Sequence, residues 1–326
     1  MFIPEYSITT KTLKNVANIE YCKAIIETCA ILPHWQKQLE KEARIRTVTA
    51  TLQFQGINIS FDTVKKFIDK VEPATQKELV NLNTALDKLD DIGKYKDFEE
   101  DDFKTLHTLL SQDLLPQLKS GIYRSTKHAK ATDPEEILAQ MVELMDWYNS
   151  LDARETHPVV KAGILKARIE TIVPFEKTNF VISNLAMRLA LKANGYDLKD
   201  YISPEDFYNK SKYQYDHVLA SGLDLTTWLE FLTEGLSYES SNIKEKVSLL
   251  ARDTKVAKVS GRVRLTQRQE RIVEHLQDYG ILQNKDFAKV FPDVSEDSIL
   301  RDLKTLMTEG LIIKSGSTKS SMYELK

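Results

Sequence analysis

Apolar residues recur at three- and four-residue intervals through most of the first 240 positions, and this helical period constrains the fold most strongly. One helix is predicted in DPEEILAQMVELMDWYNSL, where a cap at Asp133 and an acidic first turn precede the apolar stripe. A second is predicted after Pro158, and a third follows a short turn at Pro174. Further amphipathic helices are predicted in HWQKQLEKEARIRTVTATLQFQG, ATQKELVNLNTALDKLDDI, PEDFYNKSKYQYDHVLASG and DLTTWLEFLTEGL, the last two ending near Gly222 and Gly235.

Two stretches depart from this helical pattern. KSGIYRSTKHAKATDP is polar and β-capable, and is predicted to form a loop or a small hairpin. The turn at Pro174 delivers the chain to a helix start, where free backbone N–H groups and the helix dipole commonly hold phosphate. It contains no glycine, histidine or arginine, so it is either a catalytic loop without its chemistry or a plain connection.

The C-terminal part follows a different order of elements. LTQRQERIVEHLQDYG has Thr266 and Gln269 at capping-box spacing, and NKDFAKVF is a short second helix. VSEDSILRDLKTLMTEG begins at a Ser295 cap and ends at Gly310. Its apolar residues recur at three- and four-residue spacing and are expected to face a small core; they are Ile299, Leu300, Leu303, Leu306 and Met307. Two short strands are predicted around SGSTK. Three helices followed by a hairpin are typical of a winged helix-turn-helix.

Charge and composition exclude several classes of protein. A net charge of −3 gives no general attraction to nucleic acid or membranes, although a local basic face is compatible with it. No apolar run is as long as a membrane span, and the start of the chain lacks a signal-peptide core, so a cytoplasmic location is expected. The usual glycine-rich phosphate loops are absent, and the histidines lack metal-ligand spacing.

ARIETIVPFEKTNFVISN aligns without a gap to H-x-F-x-x-I-H-P-F-x-D/E-G-N-G-R-x-x-R, the signature of Fic (Fido) domain proteins. SGIYR resembles the G-x-F/Y-R segment of that family, and LTTWLEFLTEGL resembles its tryptophan-containing closing helix. TLQFQGINIS resembles the inhibitory-helix motif S/T-x-x-x-E-G/N. The resemblance spans nearly the whole chain and implies an all-helical Fic core with a small β-hairpin flap, followed by the winged helix.

The resemblance implies an AMP transfer that the motif no longer supports. In active members the second motif histidine takes a proton from a target hydroxyl, which attacks the α-phosphate of ATP. Here that position is Val173, and losing a general base costs about 10² to 10⁴ in rate. The acidic position that holds Mg²⁺ is Lys177, whose ammonium repels the metal. The turn is therefore interpreted as a former catalytic loop.

The phosphate contacts of the motif are replaced as well. Its two glycines correspond to Thr178 and Phe180, which crowd the anion cradle, and its two arginines correspond to Val181 and Asn184. Among the chemically active positions only Asn179 is retained.

The inhibitory motif has changed in parallel with the catalytic motif. The family's inhibitory glutamate, which pairs with the second arginine, is matched by Gln55 within Thr51–Gly56, and the arginine is matched by Asn184. A neutral contact between Gln55 and Asn184 is expected to keep the helix docked. Chance divergence is the alternative explanation.

Two lysines and one arginine near the motif have alternative roles. Lys166, beside the first-histidine position Ala167, and Lys177 either hold a nucleotide over the loop or are solvated at the rim of a vestigial cleft. Arg124 matches the segment leading into the target-docking flap, where it bonds backbone carbonyls or contacts a partner.

A small basic face is predicted on the third helix of the C-terminal part. Ser298, Arg301 and Lys304 would point outward, with Lys319 in the wing, and would contact duplex DNA. Acidic residues lie on or beside the same helix, and docking of a protein is the alternative. The acidic residues are Glu296, Asp297 and Asp302.

The predicted organisation is an N-terminal helical region (1–100), a Fic core (101–236), a helical connector (237–261) and a winged helix-turn-helix domain (262–326). The favoured function is an inactive bacterial regulator or binding scaffold with no certain cofactor, since only the family resemblance implies ATP with Mg²⁺. A nucleotide-binding transferase with altered chemistry, using Lys177, Thr178 and Asn179, is one alternative. A DNA-binding transcriptional regulator is another. Expected partners are a protein partner or target, duplex DNA and a second copy of the chain, with no membrane.

Overall fold

The computed structural model describes residues 2–92, 99–129, 131–220, 224–259, 265–316 and 321–325. The chain divides into two compact units. The first comprises Met1–Cys29 and Leu39–Lys246, and the second comprises Ala30–Gln38 and Val247–Lys326.

The first unit is built from helices, of which the second and the last continue beyond its limits. They are α1 (Thr10–Thr28), α2 (Pro33–Phe54), α3 (Phe61–Ile68), α4 (Lys77–Ile92), α5 (Glu100–Ser111), α6 (Ile137–Asn149), α7 (Leu151–Glu155), α8 (Pro158–Ile172), α9 (Asn179–Ala193), α10 (Pro204–Lys210), α11 (Lys212–Leu219) and α12 (Thr226–Val259). Single 3₁₀ turns lie at Gln117–Lys119, Pro134–Glu136 and Leu198–Asp200.

Helices α8 and α9 form the centre of this unit. Both are buried around nearly their whole circumference, and most of their residues are apolar. The imidazole of His157 accepts a hydrogen bond from the Val159 amide at the start of α8, and Pro158 takes the first helical position, where it loses no hydrogen bond. The two helices pack closely against each other and hold the turn at Pro174 between them.

Glycines allow α12 to pack closely, and the prediction that this helix ends near Gly235 is wrong. A Cβ atom at Gly235 would lie 2.5 Å from Cδ1 of Phe207, so the glycine is required by packing and does not terminate the helix. On α8, a Cβ atom at Gly163 would lie 2.9 Å from Cδ2 of Leu229. The indole Nε1 of Trp228 donates to the Gly163 carbonyl at 2.9 Å and fixes α12 against α8.

Two further local predictions are corrected by the structure. The segment predicted as one helix from Pro204 to Gly222 is broken at Ser211, whose φ and ψ of −111° and 29° are not helical. The predicted hairpin flap has no strand at residues 120–129 or 131–133. The guanidinium of Arg124 binds two of its carbonyl groups, those of Thr126 and Thr132, as described below.

The C-terminal elements of the second unit are three helices and a small sheet. They are α13 (Gln267–Tyr279), β1 (Leu282–Gln283), α14 (Phe287–Val290), α15 (Glu296–Thr308), β2 (Ile312–Ser315) and β3 (Met322–Leu325), with a 3₁₀ turn at Asn284–Asp286. The strands are antiparallel in the order β1-β3-β2, so β3 pairs with both neighbours. The predicted order of helices and the two strands around SGSTK are confirmed, and the winged-helix assignment stays a prediction.

The predicted inner face of α15 is confirmed. Ile299, Leu303 and Leu306 are fully buried in the core of these elements, and Leu300 and Met307 pack at its edge. The capping box of Thr266 and Gln269 is present at the start of α13.

Asp302 lies on α15 as predicted, on the buried side of the helix. It is 5% exposed, and its carboxylate accepts hydrogen bonds from Arg268 Nε and, at 3.1 Å, from Gln269 Nε2. The carboxylate therefore ties α15 to α13.

Candidate functional site

The turn between α8 and α9 has a left-handed residue at each end. Val173 has φ of 51° and Thr178 has φ of 67°, a conformation that β-branched residues rarely adopt. Thr178 matches a motif glycine, and the backbone keeps a glycine-like conformation without the glycine. Strained residues of this kind cluster at functional sites.

Asn179, the retained polar position of the motif, holds this turn closed. Its Oδ1 accepts from the Phe175 amide at 2.9 Å and its Nδ2 donates to the Phe175 carbonyl at 2.8 Å. Both ends of its side-chain amide are thus bonded to the backbone of the turn.

Arg124 ties the preceding loop to the same turn and is 2% exposed. Its backbone N–H donates to the Pro174 carbonyl at 3.0 Å. Its guanidinium donates to four backbone carbonyls, which are those of Thr126, Thr132, Ile172 and Val173. Of the two predicted roles of Arg124, the structure supports the bonding of carbonyls.

Phe180, at the second glycine position, packs into an aromatic cluster. Its ring stacks on Phe54 with centroids 3.9 Å apart and planes 6° from parallel. Lys212 Nζ lies 3.6 Å from the centroid of Phe54 and donates to the Phe54 carbonyl at 2.7 Å. The last turn of α2, which carries the inhibitory-motif match, is therefore joined to α9 and α11 by this cluster.

Both predicted roles of Lys166 are wrong, because its side chain is completely buried. Lys166 Nζ lies between 4.9 and 5.9 Å from the centroids of four aromatic rings, a geometry that favours cation–π attraction. These rings belong to Phe180, Tyr208, Tyr215 and Trp228. The lysine lies within the helical core and reaches neither the loop nor the solvent.

The charge of Lys166 is balanced by Glu170, one helical turn further along α8. Glu170 Oε1 accepts hydrogen bonds from Lys166 Nζ, Ser183 Oγ and the Tyr215 hydroxyl. Burial lowers the pKa of Lys166, and the negative charge of Glu170 opposes that shift. Burial also raises the pKa of Tyr215 well above its usual value, and the neighbouring carboxylate adds to the shift. We name Lys166, Glu170, Ser183 and Tyr215 the buried ionic cluster.

A cleft of about 280 Å³ opens beside the turn. Four of the residues singled out in the sequence line it together: Gln55, Lys177, Thr178 and Val181. The other lining residues are Leu52, Ile57, Glu78, Leu82, Leu110 and Leu114. Lys177 is exposed, as expected for a solvated lysine at the rim of the cleft.

The expected contact between Gln55 and Asn184 is absent. Gln55 is exposed, whereas Asn184 is 2% exposed and neither its Oδ1 nor its Nδ2 has a hydrogen-bond partner within the described residues. A buried amide without partners costs free energy, so this position favours a guest molecule that can hydrogen-bond to it.

His107 contributes to the site although nothing in the sequence distinguished it from the other histidines. Its ring stacks on Phe175 with centroids 4.2 Å apart, and its Nδ1 accepts from the Gly121 amide at 2.9 Å. Burial lowers the pKa of His107 to about 4, so the ring is neutral at pH 7. The His107 ring therefore packs against the turn through its stack on Phe175.

The residues of the turn do not fit the Mg²⁺ that the family resemblance implies. The metal position carries the ammonium of Lys177, and Mg²⁺ is bound by oxygen ligands such as carboxylates. Among the described residues, no three His, Cys, Asp or Glu side chains are grouped so that they could hold a metal.

Three of the predicted DNA-binding residues, Ser298, Arg301 and Lys304, lie on α15 as expected. Arg301 and Lys304 are exposed and Ser298 is half-buried, its hydroxyl accepting from Ser295 at 2.9 Å. Lys319 lies outside the described residues. No helix in the described part of the chain is long and apolar enough to cross a membrane.

Comparison with known proteins identifies the class of domain that carries this site. Residues 97–191 match the model of the Fic/DOC family. A solved Fic family protein from Desulfovibrio desulfuricans aligns with 100% of this chain and 98% of its own, at 22% identity and a TM-score of 0.67. Residues 97–191 form a Fic/DOC domain, and the chain has the mainly helical fold of Fic family proteins.

Two further solved structures share this fold. Fic-1 from C. elegans aligns with 76% of this chain and 74% of its own, at 15% identity and a TM-score of 0.60. A Fic domain-containing signaling protein from Bacteroides thetaiotaomicron aligns with 73% of this chain and 98% of its own, at 20% identity and a TM-score of 0.58.

Proposed function

We propose that this chain is a catalytically inactive Fic-domain protein that serves as a regulator or binding scaffold in the cytoplasm of a bacterium. The Fic family includes AMP-transferring enzymes, but this chain would bind a partner protein or a small ligand without transferring AMP. The stack of Phe180 on Phe54 is the observation that carries this proposal. A phosphate cradle needs open backbone N–H groups, and here a large aromatic ring is fixed at the position of the glycine.

The proposal is also supported by the lack of a proton acceptor at the position of the second motif histidine. Val173 has no titratable group, and Asn179 uses its amide on the backbone of Phe175. His107 is the nearest histidine that contacts the turn, but it is stacked beneath Phe175 with a pKa of about 4. A base with so low a pKa takes protons from a hydroxyl poorly at neutral pH.

The direct test is incubation of the full chain with ATP and Mg²⁺, alone and in lysate, followed by intact-mass measurement. We expect no covalent addition of AMP, whereas an active family member assayed in parallel should show it. Gln55→Gly and Val173→His should each remain inactive, because the metal and arginine contacts are also missing. A mass increase matching AMP that Asn179→Ala abolishes would overturn the proposal.

Binding of duplex DNA by α15 is a second candidate function, favoured by the exposure of Arg301 and Lys304. Both side chains project from the face of α15 opposite its buried leucines, where they would contact phosphates. The test is an anisotropy titration of the full chain with genomic fragments at two salt concentrations. Arg301→Ala with Lys304→Ala should lower the salt slope by roughly two units. Lys14→Ala with Lys65→Ala, two exposed lysines elsewhere, is the matched control.

A further inference from the structure

The cleft beside the turn has a cationic side. Lys177 lines it, and the ammonium of Lys177 has no ion-pair or hydrogen-bond partner among the described residues. Thr178, the N-cap residue of α9, gives that helix no side-chain cap, because its hydroxyl donates to the Lys177 carbonyl at 2.6 Å. An ammonium beside an uncapped helix start favours a carboxylate or another small anion.

The same cleft has an anionic side. Glu78, in the first turn of α4, is half-buried and lines the cleft. Within the described part of the chain it has no cationic partner, and it does not pair with Lys177. An unpaired carboxylate and an unpaired ammonium thus face one small cavity. This arrangement complements a ligand that carries both charges.

The rest of the lining is largely aliphatic. Its six aliphatic side chains are Leu52, Ile57, Leu82, Leu110, Leu114 and Val181. Among the described residues no aromatic side chain lines the cavity, whose volume of about 280 Å³ falls just below the common range for ligand pockets. A short branched hydrocarbon group fits this lining better than a flat ring system does.

Asn184 lies one helical turn beyond the lining residue Val181, although it does not itself line the cavity. It follows Val181 by three residues on α9, so the two side chains share one face of the helix. Its amide is 2% exposed with both polar atoms unpartnered. A ligand or an accompanying water molecule that enters over Val181 would satisfy this amide.

We propose that the cleft binds a small zwitterion with an aliphatic body, of the class of branched-chain α-amino acids. The ligand carboxylate faces Lys177 and the start of α9, its ammonium faces Glu78, and its hydrocarbon side chain packs on the leucines. This inference rests on the proposed function, because it treats the domain as one that binds without transferring AMP.

A nucleoside triphosphate suits the cleft less well. A triphosphate carries several negative charges, and the lining offers one cation against one carboxylate. The two positions at which the family motif places arginines are the neutral Val181 and Asn184. Glu78 would repel the phosphates, whereas it attracts an amino group.

The test is titration calorimetry of the full chain with L-leucine, 4-methylpentanoate, 3-methylbutylamine and ATP with Mg²⁺. We expect L-leucine to bind with a Kd of about 0.1 to 1 mM, because a ligand with so few atoms reaches only moderate affinity. The two probes with a single charge should bind about tenfold more weakly or not at all, and ATP should not compete with L-leucine.

Variants separate this site from other surfaces. Glu78→Gln and Lys177→Met should each weaken the binding of L-leucine about tenfold. The double variant should lose little further affinity, because one zwitterion contacts both charged residues and couples the two contacts. The matched controls Glu135→Gln and Lys14→Met change exposed charges outside the cleft and should leave the affinity unchanged.

The inference fails if L-leucine shows no binding, or if Glu78→Gln and Lys177→Met leave its affinity unchanged. It also fails if ATP binds and Lys177→Met weakens the binding of ATP, because the cleft would then be a nucleotide site. Absence of AMP transfer together with absence of L-leucine binding would leave the proposed function standing and remove only the ligand class.

Discussion

The buried ionic cluster allows a quantitative prediction about stability. In Lys166→Met the new side chain is unbranched and adaptable enough to occupy the same aromatic surroundings, so the main change is the loss of the ammonium. Glu170 then keeps two donors, Ser183 and Tyr215, while its side chain stays 8% exposed. The carboxylate is left buried without a counter-charge.

The expected loss follows from this geometry. Breaking a buried ion pair by removing one partner costs about 3–5 kcal/mol. Because two hydroxyl donors remain on Glu170, we expect Lys166→Met to lower the free energy of unfolding by about 3 kcal/mol. Glu170→Gln should cost a similar amount, since it leaves the ammonium among four rings. The double variant removes both charges and should lose only about 1 kcal/mol.

Urea unfolding of the full chain, followed by tryptophan fluorescence, measures these differences. Trp228 is fully buried beside Lys166 and reports on this region. The change should appear in the unfolding midpoint with an unchanged m value. Lys14→Met, at an exposed position of α1, is the control and should stay within about 0.5 kcal/mol of the parent.

Two results would refute the reasoning. If Lys166→Met were neutral, the ammonium would contribute nothing to the pairing that the contacts describe. If the losses from Lys166→Met and Glu170→Gln simply added in the double variant, the two groups would not be coupled.

Acid should destabilise the protein through His107, whose pKa is about 4 in the folded chain and 6.5 when the ring is exposed. Between these pH values the unfolded chain binds a proton that the folded chain does not bind, so stability falls as the pH falls. Unfolding measured from pH 7 to pH 4 should show this loss, and His107→Asn, which retains an acceptor, should flatten it. Val173→Asn should raise the free energy of unfolding by about 1 kcal/mol in urea titrations, because asparagine tolerates the left-handed conformation better than valine. Gly235→Ala should lower it by about 1–3 kcal/mol, because the new methyl group would lie 2.5 Å from the ring of Phe207.

Periodicity predicted the helices well because it records which face of each helix is buried. It placed α8 and α9 on either side of the turn, and it identified the inner face of α15 residue by residue. It placed the end of α12 wrongly because a glycine is compatible with both helix termination and close packing. Only the ring of Phe207, remote in sequence, distinguishes the two.

The position of the candidate site in the chain could be predicted from the sequence, but many of its side-chain contacts could not. Alignment to the family signature located the turn, and Gln55, Lys177, Thr178 and Val181 do line one cleft. The burial of Lys166 was missed, although a signal existed. It lies between Leu165 and Ala167 in a helix whose residues are mostly apolar, and the structure buries nearly all of them. Glu78 and His107 were missed because no local pattern marks them.

Phe180, at a glycine position of the family motif, also stabilises the turn, because its stack on Phe54 contributes about 0.5–1.5 kcal/mol beyond the area that the two rings bury. A phosphate-binding turn forgoes this gain, because its glycines must leave the backbone open to the ligand. Phe180 also lies 4.9 Å from Lys166, so reverting it to glycine would weaken the buried ionic cluster as well as the stack. Phe180→Gly should therefore lower the free energy of unfolding without restoring AMP transfer, which is the trade-off expected if, as proposed, this turn has become part of the protein core.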